Sequence, residues 1–294
     1  MMRRPAALLT LCASLVFVTQ AFAADLPQRW VSAGGALSEW ISVLGGAQRL
    51  VGVDTTSQHP ETLKDLPSIG YQRQLSAEGI LSLRPDLLVG TEEMGPPPVL
   101  AQVRGAGVRV ELFSSKAQLA AVDDNLKHLG ALLGREQKAA ALAADYRQQL
   151  EALQAKLKQA QTTQKAPGVL LLVGHGGAKP MIAGKGTAGD WVLQQAGARN
   201  LADNQGYKNF SAEALAALDP DVLVVSDRSL DGEQALQALL KENPALAASR
   251  AVKDQRLVRL DPTLLVGGLG PRLPAALHEL ARAFYPDAQA TLAP

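Results

Sequence analysis

The chain has 294 residues, of which 47% are hydrophobic and 19% charged, with 29 Lys+Arg against 28 Asp+Glu. That balance excludes a disordered acidic protein and a polybasic nucleic-acid binder, and a single cysteine, Cys12, excludes a disulfide scaffold. What remains is an ordinary globular composition.

Residues 1–23 hold Arg3 and Arg4, an apolar run over 6–18 and then Ala21-Phe22-Ala23. This charged, apolar, small-x-small layout predicts a cleaved secretory signal peptide. About 13 apolar residues fall short of the roughly 20 that span a bilayer, which argues against a membrane anchor. Leu11 before Cys12 argues against a lipid anchor. The mature chain is then expected to start near Ala24, to lack cysteine and to be soluble in an extracytoplasmic space, its core unsupported by disulfides. Its 271 residues suggest two domains.

Short β-rich runs are predicted at 30–33, 49–54, 87–89, 108–112, 169–173, 222–225 and 256–260, with helical periodicity between them, as at 37–44 and 190–196. Such alternation implies an α/β fold of mostly parallel sheets covered by helices. Residues 135–161 contain neither Gly nor Pro. There Ala139, Leu142, Ala143, Tyr146, Leu150, Leu153 and Leu157 recur at three- and four-residue steps. This predicts one long helix with a single apolar stripe, about 40 Å end to end. The reading is therefore an N-terminal lobe over 24–134, a connecting helix over 135–165 and a C-terminal lobe over 166–294. A coiled-coil dimer competes, but fewer than four heptads and many Ala and Gln positions favour a monomer.

A repeat supports two similar lobes. Ser76-Ala77-Glu78 opens a segment ending in Pro85-Asp86-Leu87-Leu88-Val89, and Ser211-Ala212-Glu213 opens one ending in Pro220-Asp221-Val222-Leu223-Val224, 135 residues later without a gap. Each copy reads as a Ser-capped short helix with Glu in its first turn, followed by a buried strand. A Gly-Tyr pair precedes both, Gly70-Tyr71 and Gly206-Tyr207.

Taken together, the leader, the paired lobes, the bridging helix and the duplicated Ser-Ala-Glu element resemble the helix-backbone class of periplasmic substrate-binding proteins. That class serves ABC importers of siderophores, corrinoids and haem. The segments 49–57 and 70–80 are similar to the haem branch. The resemblance implies haem in the interlobe cleft, with Tyr71 as axial ligand to its iron and an inner-membrane permease and ATPase complex as partner. It also implies that Glu78 and Glu213 meet arginines on the two permease subunits. A siderophore or corrinoid carrier of the same fold is the alternative.

The chemistry supports the ligand. Ferric iron is a hard Lewis acid and a phenolate a hard anion. A phenol of pKa about 10 needs help to ionise, which the iron and a nearby cation can give. Arg73, two residues on, projects to the same side if the segment is extended. His175 and Arg228 follow the strands predicted at 169–173 and 222–225, where open α/β sheets collect ligands. His175 is therefore expected to face the cleft opposite Tyr71, where the resemblance implies that it can serve as a second iron ligand, and Arg228 is a candidate partner for a propionate carboxylate. Tyr207 has Asn209 rather than Arg two residues on and is not assigned as a ligand.

Other signals are weaker. Gly184-Lys185-Gly186-Thr187-Ala188-Gly189 matches a dinucleotide-binding pattern but reads as a turn into the helix at Asp190. His59, His128, His175 and His278 are scattered without metal-ligand spacing, and neither a Gly-x-Ser-x-Gly elbow nor a catalytic cysteine is present. An enzyme is not expected.

Overall fold

The structure, a computed structural model, describes residues 26–174, 181–227, 237, 240–241 and 244–293. The predicted leader, His175 and Arg228 lie outside the described residues.

The first half alternates β1 (Trp30–Ala33), α1 (Gly35–Leu44), β2 (Leu50–Val53), α2 (Ala77–Ser82), β3 (Leu87–Thr91), α3 (Pro97–Gly105) and β4 (Arg109–Phe113). Its four strands pair in the order β2-β1-β3-β4, all parallel. Two helices follow, α4 (Leu119–Leu133) and α5 (Glu136–Ala160). Gly134 ends α4 in the left-handed region at φ 65, which lets the chain reverse between them.

The second half holds β5 (Gly168–Val173), β6 (Met181–Ala183), α6 (Ala188–Gln195), β7 (Arg199–Asn200), β8 (Tyr207–Asn209), α7 (Ala212–Ala217), β9 (Val222–Ser226), α8 (Arg250–Lys253), β10 (Leu257–Arg259) and α9 (Leu273–Phe284). Strands β10, β9, β5 and β7 pair in parallel, whereas β6 and β8 add an antiparallel extension beside β5. The sequence reading contained neither β6 nor β8. Met181–Ala183 and Tyr207–Asn209 are too short to set up a period, and β8 is exposed throughout.

Helix α5 spans 25 residues, about 37 Å at 1.5 Å per residue. Its buried residues are Ala139, Tyr146, Leu150, Leu153, Leu157 and Ala160, while Leu142 and Ala143 are partly buried. This stripe joins one continuous apolar core that runs from Trp30 and Leu87 in the first sheet through α4 and α5 to Leu171 and Val224 in the second. Each half also has an outer cluster of its own, around Ile80 and Val103 and around Leu172 and Leu215.

The duplicated element is duplicated in backbone too. Ser76 accepts from the Gly79 amide at 2.9 Å to cap α2, and Ser211 accepts from the Ala214 amide at 3.2 Å to cap α7. Arg84 and Asp219, equivalent residues just before the two prolines, both take a positive φ, 49° and 39°.

Candidate functional site

A cavity of about 640 Å³ lies between the two sheets, near the carboxyl ends of β3 and β5. That is within the range of about 300–1,000 Å³ typical of small-molecule sites. The first half contributes Thr55, Thr56, Tyr71, Arg73, Glu93 and Lys116, and the second half Val173, Met181, Thr187 and Tyr207. A strap of chain, Leu265 to Gly268, completes the wall.

Tyr71 and Arg73 both line the cavity, but not by way of an extended segment. They sit in a turn closed by the Gln74 amide donating to the Tyr71 carbonyl at 2.7 Å. Gly70 enters this turn at φ +87°, a conformation that L side chains rarely adopt, and its carbonyl accepts from the Thr55 amide at 2.9 Å. Between the two exposed side chains, Gln72 is fully buried, and its carbonyl accepts from the Gly95 amide at 2.9 Å. The turn thus pins its middle residue and presents its neighbours.

The Arg73 guanidinium is directed at Glu93, with Nη2 to Oε2 at 2.6 Å. That hydrogen bond raises the Arg73 pKa, and the phenols of Tyr71 and Tyr207 lie close enough to add to the effect. The guanidinium therefore stands within the electrostatic reach of both tyrosines.

Tyr207 faces the same cavity from β8. It follows Gly206, whose φ of +69° matches the left-handed state of Gly70. Crowding around its hydroxyl pushes the Tyr207 pKa up, although the Gly189 amide, the Thr187 hydroxyl and Arg73 act against the rise. Desolvation disfavours a phenolate here, so this hydroxyl is set up as a neutral hydrogen-bonding group.

The glycine-rich run 184–189 is a tight entry into α6. That helix begins at Ala188, two residues before the expected start, with Thr187 capping it by accepting from the Asp190 amide at 3.0 Å. A Cβ on Gly184 would come within 2.3 Å of Asn204, and one on Gly189 within 2.6 Å of the Ala183 methyl. Close packing is reason enough for these glycines.

Glu78 and Glu213 are exposed in the first turns of α2 and α7. The Glu213 backbone amide and the Ser211 hydroxyl lower its pKa, as befits an anion at a helix N-terminus. Among the described residues no three His, Cys, Asp or Glu side chains come together as a metal cluster.

A family model for "Periplasmic binding protein" matches residues 31–264. The chain belongs to the periplasmic binding protein family. This is a family of substrate-binding proteins, not enzymes. Among solved structures, this binding protein is 63% identical to a periplasmic heme binding protein from Pseudomonas aeruginosa, with a TM-score of 0.87 over 89% of this chain and 94% of that one. It is 39% identical to the apo form of RhuT, a periplasmic heme-binding protein from Roseiflexus sp. RS-1, with a TM-score of 0.80 over 89% and 99% of the two chains. A vitamin B12-binding protein of Vibrio campbellii is 26% identical over 236 residues, 79% of this chain and 82% of that one. The fold is the class III periplasmic binding protein fold.

In this binding protein, sequence reasoning missed Glu93, Lys116 and the strap at 265–268 as cavity residues. Glu93 lies just beyond the carboxyl end of β3, where ligands gather in such sheets, and that position was the available signal. The strap reaches the cavity only because the chain returns to the first half after β10, which no local pattern announces.

Proposed function

We propose that this binding protein captures haem in the periplasm as a monomer, after removal of its leader, and delivers it to an inner-membrane ABC permease and ATPase complex. The observation that carries the proposal is the pairing of Tyr71 and Arg73 on one wall of a cavity between two sheets. A phenolate is a hard oxygen donor suited to ferric porphyrin iron, and the N–H groups of a guanidinium on the same wall can hydrogen-bond its oxygen. Apolar side chains such as Met181, Leu265 and Val266 offer surface for a flat macrocycle, while Lys116 supplies a cation for a propionate. His175 and Arg228 remain assigned as a possible second ligand and a propionate partner. The similarity to heme-binding proteins at 63% and 39% identity supports the same cargo.

Glu78 and Glu213 are proposed as the docking pair. Their repeat-related helices offer one carboxylate per half to a two-fold permease.

Titrating haemin into the protein tests the proposal. Saturable binding with a tyrosinate-to-iron absorption is expected, and Tyr71→Ala should weaken it on the order of 100-fold, about 2.7 kcal/mol. Unchanged affinity in that variant would remove Tyr71 as the ligand. The similarity to a vitamin B12-binding protein favours a corrinoid as the second reading. Cyanocobalamin binding tighter than haemin would select it.

A further inference from the structure

The ion pair between Arg73 and Glu93 has little to offer stability. The two side chains are 54% and 37% exposed, and a pair so placed contributes about 0–1 kcal/mol. Its placement is more informative. Glu93 sits on the loop after β3, and that loop is tied to the Tyr71 turn by two backbone bonds, Gly95 amide to Gln72 carbonyl and Leu75 amide to Gly95 carbonyl, both 2.9 Å. On its other side, Glu92 accepts from the Ser115 amide at 2.8 Å and from the Ser115 hydroxyl at 3.1 Å. The carboxylate of Glu93 is therefore mounted on a braced loop, whereas Arg73 is a long side chain with many rotamers. Only one of its five N–H groups, on Nη2, is taken by Glu93.

We infer that Glu93 is a positioning residue: it holds the Arg73 guanidinium at the cavity that Tyr71 and Tyr207 also line, so that the N–H groups Glu93 does not take are kept within the site for the phenol oxygen that grips iron. This rests on the reading of Tyr71 as the haem ligand and adds the group that orders its cation. Without Glu93, Arg73 spreads over rotamers that point to solvent, and the entropy of recovering one of them is lost from binding. A carboxylate so close also withdraws part of the guanidinium's field, so orientation and charge act in opposite directions. The glutamine variant separates them, because it keeps a hydrogen-bond acceptor and removes the charge.

The test is a double-mutant cycle on the haem-loaded full chain, reading haemin release to an excess of apomyoglobin together with the energy of the tyrosinate-to-iron band. Glu93→Ala should speed release on the order of tenfold and move the band, and Glu93→Gln should stay within about threefold of the parent. In an Arg73→Ala background, Glu93→Ala should change neither, because its effect passes through Arg73. The inference is overturned if Glu93→Ala leaves release and band unchanged, or if it alters them by the same factor with Arg73 removed. A parent protein whose spectrum does not depend on Tyr71 would instead overturn the ligand assignment itself, and this inference with it.

Discussion

Glu39 and Arg272, 233 residues apart in sequence, form a two-pronged ion pair in which Arg272 Nη2 donates to Oε1 at 2.7 Å and Nε donates to Oε2 at 2.9 Å. Glu39 belongs to α1 of the first half and its side chain is only 5% exposed. Arg272 also donates from Nη1 to Asp261 at 2.8 Å, and Asp261 meets His59 Nε2 at 3.0 Å. The Trp40 indole adds a bond to the Leu269 carbonyl at 2.9 Å. Together these contacts fasten the strap between Asp261 and Arg272 onto the first half, and that strap supplies Leu265 to Gly268 of the cavity wall. A clasp outside the cavity lining thereby fixes one side of the site.

Arg272→Met should strip Glu39 of its partner and leave a carboxylate buried without compensation. The expected cost is about 3–5 kcal/mol, read as a lower urea midpoint at unchanged slope. Replacing both residues, Glu39→Met with Arg272→Met, should recover much of the loss, since two apolar side chains leave no buried charge. A double variant as unstable as the single one would mean that packing, not the orphaned charge, sets the cost.

Acid should loosen the same clasp. Burial alone would push the Asp261 carboxyl up, but bonds from the Thr263 hydroxyl and amide and from Arg272 outweigh it, so its pKa lies below the ordinary value. A carboxyl depressed in the folded state contributes stability above its unfolded pKa, about 3.9, and that contribution disappears as pH falls through the lower folded value. Urea midpoints measured from pH 7 downward should therefore drop below pH ~4, and Asp261→Asn should be less stable at pH 7 but lose less over that interval. Parallel pH profiles for the two proteins would count against this role for Asp261.

Much of the frame was readable from residue order because it rests on local periodicity. Trp30–Ala33 became a strand at the predicted limits, and the expected helix over 135–161 became Glu136–Ala160 with its apolar stripe on the core. The duplicated Ser-Ala-Glu element fixed two caps at once. The Tyr71 site was half legible: both side chains line the cavity, but a turn anchored by buried Gln72 brings them there, not strand alternation. Glu93 and the clasp were not legible. They are contacts between segments 20 to 233 residues apart, which no window of sequence encodes.

Tyr146 carries a different expectation. Its ring packs against Trp40 at 5.7 Å between centroids, yet its hydroxyl is buried with no hydrogen-bond partner among the described residues, and desolvation pushes its pKa far above the usual range for a phenol. Tyr146→Phe keeps the ring and removes the unsatisfied group, so stability should hold or rise by about 1 kcal/mol. A loss of more than that in thermal or urea unfolding would reveal a bond made by the hydroxyl.

The proposed docking pair can be separated from cargo binding. Glu78 and Glu213 lie on capped helices, one in each half, and neither lines the cavity. Replacing either by Ala removes one rim charge and leaves the Ser76 and Ser211 caps in place. Haemin affinity should therefore stay within about twofold, while delivery to the cognate permease in proteoliposomes falls on the order of tenfold, about 1.4 kcal/mol per contact. In the proposed docking each carboxylate addresses a different permease subunit, so the two losses should combine nearly additively in the double variant. Delivery that survives both substitutions would relocate the docking surface, whereas a parallel fall in haemin affinity would mean that these helices act on the cavity instead.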